Sequence, residues 1–166
     1  MSQKLEQFAA RCHAAIKAMP GLAGREEIAA LLKDLLLDAQ FIAEQFEADV
    51  GERKIIYEDA ELGFCILAHD YRDAKTSGAH DHAHSWAIYG QAVGQTEMSD
   101  YELVEAASAD QPGKVRHLRN YLLTPGIAHV YNEGDLHSPK RDGPTRLIRI
   151  EGTDMSKVNR FKYEQV

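Results

Sequence analysis

The sequence predicts an α+β protein, mainly β, in which two amphipathic helices precede an antiparallel barrel or sandwich. Three observations predict it. From Lys4 to about Phe46 apolar residues recur at intervals of three and four, the spacing of one helix face. Beyond Val50 the chain changes to short runs rich in Ile, Val, Tyr and Phe, separated by Gly, Pro, Asp and Asn. No helical pattern of about 10 to 15 residues alternates with those runs, which disfavours a parallel βαβ sheet.

The first helix is carried by Leu5, Phe8, Ala9, Cys12 and Ile16, and the second by Ile28, Leu31, Leu32, Leu35 and Leu36, continuing to Ile42 and Phe46. Met19-Pro20-Gly21 separates them, because proline cannot continue a helix and glycine tolerates the turn. Glu26 and Glu27 suit the positive end of the second helix. About seven strands follow: 54–57, 63–69, 85–93, 96–103, 115–123, 127–131 and 145–150, with 105–113 read as an exposed loop. A chain of 166 residues is close to the usual domain size, so residues 1–50 are expected to pack as a helical segment on a barrel of residues 51–166 within one domain.

Composition narrows the function. With 44% hydrophobic and 27% charged residues the chain reads as globular, and a net charge of -7 argues against gripping a phosphate backbone, so no nucleic-acid partner is expected. The most apolar stretch, Ile28 to Leu37, is interrupted by Lys33 and Asp34, and no membrane span or membrane partner is predicted. The opening residues lack the basic-then-apolar order of a secretory signal, and Cys12 and Cys65 alone make no disulfide framework, so a cytoplasmic setting is the expectation.

Eight histidines stand out, and their spacing carries the chemistry. In Gly78-Ala-His-Asp-His-Ala-His-Ser-Trp86, His80 and His82 are two residues apart, which on an extended strand turns both rings to one face and toward one ion. Neutral imidazoles leave a divalent cation its full charge, available to activate whatever fills its open positions. His84 follows the same alternation and is an alternative to His80, or a substrate contact. His129 reads equally as an interior histidine, and His13, His69 and His117 as surface residues.

This segment resembles the first motif of the cupins, double-stranded β-helix barrels that hold a metal. His80, His82 and Gly94 fall at motif positions, with Ala87 where the family has a Glu ligand and Ala74 where it has a leading Gly. The second motif is similar to Gly126 through His137, with Asn132 in place of proline and Arg141 in place of the closing Asn. The resemblance implies a cupin barrel with His80, His82 and His137 as metal ligands. Three histidines without a carboxylate resemble the thiol dioxygenases of the cysteine dioxygenase group, in which an N-terminal helical region also precedes the barrel.

That likeness implies a divalent metal ion, Fe(II) before Zn, Ni or Mn, a small-molecule substrate, O2, and a homodimer. That group also carries a Ser-His-Tyr network and a carboxylate-binding Arg. Here the run 145–151 alternates so that Leu147, Arg149 and Glu151 share a face: if it points inward, Arg149 can hold a substrate carboxylate and Glu151 can act as acid or base. Tyr89 and Gln91 share the parity of Ala87 and are expected to line the pocket, with Trp86 and Ile88 facing away. Catalytic candidates are therefore Tyr89, Arg149 and Glu151. Two other readings stay open: a lyase, isomerase or hydrolase using the metal as a Lewis acid, and a non-enzymatic metal- or ligand-binding module.

Overall fold

A computed structural model describes residues 1–47 and 49–166. Helix α1 (Gln3–Ala18) starts where the Ser2 hydroxyl accepts the Leu5 N–H, and it buries Leu5, Phe8, Ala9, Cys12 and Ala15. Helix α2 (Leu22–Leu36) buries Ile28, Ala29, Leu32 and Leu36. It starts earlier than the sequence suggests, so Glu26 and Glu27 lie past its first turn.

The expected second helix is in fact two. Asp38 accepts the Phe41 N–H at 2.9 Å and caps a short helix α3 (Ala39–Gln45), so Ile42 and Phe46 no longer belong to α2. An Asp side chain that bonds its own backbone offers the chain an alternative to continuing a helix.

Ten strands follow: β1 (Lys54–Glu58), β2 (Cys65–Tyr71), β3 (Lys75–Thr76), β4 (Ala87–Val93), β5 (Thr96–Glu105), β6 (Gly113–Leu123), β7 (Ala128–Tyr131), β8 (Leu136–Arg141), β9 (Thr145–Glu151) and β10 (Tyr163–Gln165). They form two five-stranded sheets, in the orders β1-β2-β9-β4-β7 and β10-β6-β5-β8-β3. All pairings are antiparallel except that of β10 with β6. Successive strands from β2 to β9 alternate between the sheets, with the β5–β6 hairpin as the exception. The expectation of a closed barrel is corrected here. Among the described residues no ladder joins an edge of one sheet to an edge of the other, and the β region is a curled, open half-barrel.

Seven of these strands match the predicted runs. β8 was not predicted, because Pro139 lacks the N–H of a ladder and breaks the strand pattern of Leu-His-Ser-Pro-Lys-Arg. β3 and β10 are too short to show a periodicity.

The first sheet separates two environments by the alternation of its strands. One face, with Ile66, Ala68, Ile88, Ile148 and Ile150, packs on the helices through Phe8, Leu32, Leu36 and Phe41. Gly90 belongs to this face: a Cβ there would lie 2.6 Å from Leu32 Cδ2 and 2.9 Å from the Ile148 carbonyl oxygen, so the missing side chain lets α2 lie against β4. The other face carries Tyr89, Arg149 and Glu151. Helices on one side and site on the other follow from one two-residue period. At the end of β4, Gly94 takes φ 71°, a turn conformation that favours glycine at this motif position.

Candidate metal centre

His80 and His137 are brought together by backbone pairing rather than by their rings. Each N–H donates to the other's carbonyl oxygen at 2.9 Å, an isolated antiparallel bridge between the loop after β3 and strand β8. Their ring centroids are 4.6 Å apart.

His82 arrives differently. The HxH segment is not the strand its spacing suggests but a tight loop, in which Asp81 accepts the Ala83 N–H, Ala83 takes φ 52°, and the Ser85 N–H returns to the His82 carbonyl. A non-glycine residue in the left-handed region costs of the order of 1 kcal/mol and persists where its surroundings enforce it. The Tyr163 hydroxyl of β10 donates to Asp81 at 2.9 Å and ties the loop to the C-terminal strand.

One potential ligand atom from each of His80, His82 and His137 lies within 4.8 Å of the other two, and no other such group of His, Cys, Asp or Glu occurs among the described residues. His82 and His137 are buried and His80 is half-buried. Burial lowers all three from the usual imidazole range, to about 4 for His80, to about 2 for His82 and well down for His137. The rings are therefore neutral at pH 7, the state a metal requires.

His80 Nδ1 lies 2.9 Å from the Gly78 carbonyl and His137 Nδ1 3.0 Å from the Asp135 carbonyl; donating there leaves each Nε2 with a free lone pair. The buried Nδ1 of His82 has no hydrogen-bond partner, and its Nε2 shares the Tyr89 hydroxyl with His137 Nε2. Donor type and protonation fit a divalent ion of borderline softness. Ala87, where the family Glu would stand, is fully buried and supplies no ligand.

Tyr89, Arg149 and Glu151 are also brought to this region. The Tyr89 hydroxyl lies 3.3 Å from His82 Nε2 and 3.4 Å from His137 Nε2, and burial raises its pKa, so it stays protonated and able to donate. The Arg149 guanidinium stacks over the Tyr89 ring at 4.0 Å and reaches Glu151 at 3.1 Å. Glu151 is wholly buried between Arg149 and Arg53 and accepts the Met155 N–H. A cavity of about 720 Å³ opens at this place, lined by His80, Tyr89 and Arg149 among others, and Glu151 does not line it.

The remaining expectations divide. His84 is exposed and stands outside the triad. His129 is half-buried and packs against Tyr131 at 4.6 Å. Gln91, expected to line the pocket, does not: it is buried and bonded to Thr96 and the Val93 carbonyl. Ile88 faces the helices, and Trp86 packs at that core beneath Arg25. His117 is exposed, but the surface assignments of His13 and His69 are corrected: His13 pairs with Asp59 at 2.9 Å, and His69 is 2% exposed.

Sequence reasoning missed a chain of hydroxyls. Tyr131 lies nearly parallel to His137 at 4.0 Å, its hydroxyl is 2.7 Å from that of Tyr121, and Tyr121 donates to Asp100 at 3.0 Å. These residues come from three strands, and only the two-residue spacing of His129 and Tyr131 hints at the grouping. Asn132, the departure from the motif proline, accepts from Arg25 at 2.7 Å, while Glu133 takes the same guanidinium, fastening α2 to the turn before β8.

His69 sets an expected pH dependence. It packs against Tyr71 with Arg53, Arg141 and Arg149 nearby, and its Nδ1 lies 2.6 Å from the Glu52 carbonyl. Burial above all, then Arg149, hold its pKa well below the ordinary 6.5. The unfolded chain therefore binds the extra proton first: the stability is fully present above pH 6.5 and drains as the pH falls below it, by up to about 1.4 kcal/mol per unit. Urea unfolding at pH 7, 6 and 5 is expected to show this slope, reduced in His69→Gln. An equal slope in both proteins would remove His69 from the account.

No protein-family model and no curated protein matches this sequence. Solved structures similar in part include a cupin domain of Cnp3 from Schizosaccharomyces pombe, at 12% identity and TM-score 0.44 over 63% of this chain and 66% of that one. KdgF from Halomonas sp. is similar at 18% identity and TM-score 0.44, over 60% and 76%. A cupin-2 domain protein from Shewanella frigidimarina is similar at 15% identity and TM-score 0.42, over 59% and 76%. The chain thus spans just under two thirds of the Cnp3 domain's length. By its own strand alternation and its three-histidine cluster, the fold here is cupin-like. No helix among the described residues is long and apolar enough to cross a membrane.

Proposed function

We propose that the protein is a metal-dependent enzyme acting on a small molecule, a non-haem Fe(II) dioxygenase of the thiol-dioxygenase type. The observation that carries this reading is the convergence of three neutral imidazoles, without a carboxylate ligand, beside a cavity large enough for a small substrate. When bound, the metal would supply coordination sites for substrate and O2.

The chain's own residues supply the rest. His80, His82 and His137 would hold the ion. Tyr89 presents a hydroxyl that remains a donor beside two of those rings. Arg149 lines the chamber beside Tyr89, and Glu151, which neutralises it, acts as a positioning residue that keeps the guanidinium over Tyr89. Tyr131 closes the other side of His137 and limits the water that reaches it.

The test is oxygen uptake by the Fe(II)-loaded protein with small thiol carboxylates, beside the Zn-loaded protein. Uptake that needs both iron and a thiol, with the thiol recovered as its sulfinate, is the expected result. A fully iron-loaded protein that consumes no oxygen with any thiol overturns the dioxygenase assignment.

A further inference from the structure

The three histidines are not held alike. His80 and His137 are each fixed twice, by the backbone bridge between them and by an Nδ1 beside a nearby carbonyl, that of Gly78 and that of Asp135. His82 lacks both supports: its Nδ1 has no hydrogen-bond partner, and its Nε2 meets the Tyr89 hydroxyl at 3.3 Å. Its place therefore depends on the backbone of the loop that carries it.

That loop contains Ala83 at φ 52°, a conformation that relaxes unless its surroundings enforce it. Asp81 enforces it with both carboxylate oxygens, one accepting the Ala83 N–H at 3.1 Å and the other the Tyr163 hydroxyl at 2.9 Å. Tyr163 is itself anchored. It begins β10, in register with Gly113 of β6, and the Gly113 N–H donates to the Lys162 carbonyl at 2.9 Å. The Tyr163 ring lies against Gly113, where a Cβ would stand 2.8 Å from the ring Cδ1, so the ring fits there only because Gly113 has no side chain. Burial above all, then Asp81, push the Tyr163 pKa up to about 12, and the hydroxyl stays a donor at neutral pH. Residues 158–163 also line the cavity beside His80 and Tyr89, so one segment both walls the chamber and grips the ligand loop.

We propose that Tyr163 is a positioning residue for the metal centre: through Asp81 it fixes the loop in the geometry that presents His82 to the ion. The inference rests on the histidine cluster being a metal site. It makes the chamber wall and the ligand set one mechanical unit, in which displacement of residues 158–163 loosens His82 while His80 and His137 keep their own supports.

The test follows the release of zinc from the loaded protein into excess chromogenic chelator. Tyr163→Phe removes one oxygen and should speed release at least about tenfold, the lower end of what partners one step from a metal are worth. Asp81→Ala should speed it further. Tyr163→Phe added to Asp81→Ala should then change the rate less than about twofold, because the bond it breaks is already gone, whereas a general weakening of the sheet adds in both backgrounds. Gly113→Ala, which touches neither loop nor ligand, should displace the ring and speed release too, while Glu164→Gln, exposed on the same strand, should release zinc as wild type does. In chelator-treated protein, amide exchange at Ala83 and Ser85 should rise in Tyr163→Phe with the strand amides unchanged, a readout that needs no metal. Unchanged exchange there, zinc release from Tyr163→Phe at the wild-type rate, or full additivity with Asp81→Ala overturns the proposal. The two readings fail separately: a wild type that takes up no zinc ends the metal centre and the inference with it, whereas a wild type that holds zinc and a Tyr163→Phe that releases it no faster end only the role of Tyr163.

Discussion

His82→Ala and His137→Ala are expected to lose metal, with affinity at least about 100-fold below wild type. Hydrogen-bond partners one step removed from a metal are worth about 10- to 100-fold, and a ligand itself is worth no less. The two residues enter from different elements, one from a strained loop and the other from β8, so neither substitution lets a neighbour take over. His84 is close in sequence but exposed, and His84→Ala should bind metal as wild type does. Elemental analysis after gel filtration, with circular dichroism to check the fold, measures this. His80→Ala is the useful companion because its half-buried ring contributes less to packing. Folded His82 and His137 variants with wild-type occupancy would end the ligand assignment.

The second large effect lies one shell away. Glu151→Ala is expected to cost about 3–5 kcal/mol, because it leaves Arg149 charged and unpaired in the interior and removes one of two carboxylates that hold Arg53. The carboxylate is 0% exposed and also accepts the Met155 N–H at 3.2 Å. Glu151→Gln keeps an oxygen for that N–H and should cost less. Urea unfolding at pH 7 measures both, and a loss below about 1 kcal/mol for Glu151→Ala would mean that the pair behaves like a surface ion pair. Since Glu151 does not line the cavity, its variants should act through the placement of Arg149.

How much of this was legible in sequence depends on the range of the interaction. The α1 stripe and seven strands are periodicities within one element, and the chain displays them directly. The break at Asp38 was hidden because the apolar spacing runs on past it while a side-chain cap decides the boundary. β8 was hidden because Pro139 breaks the strand pattern, although its neighbours β5 and β3 supply the pairing.

The site divides the same way. His80 and His82 were visible as a pair by spacing, and His137 by its place in a motif, but the reason they meet differs from the one expected. The spacing argument assumed an extended strand, and the folded chain uses a loop with Ala83 at positive φ. Parity did sort β9: Ile148 and Ile150 went to the helices, Arg149 and Glu151 to the opposite face. It could not say that Glu151 would be shut between two arginines, since Arg53 is 98 residues away in the chain.

By itself the sequence determined the order of helices before strands, the two faces of the central strands, and the three imidazoles that converge. Only the tertiary structure decided that the sheets stay open, that Arg149 is neutralised, and that Tyr163 is tied to Asp81. The physical reason is that periodicity records which side of an element is buried, whereas charge pairing depends on which distant side chains are buried together.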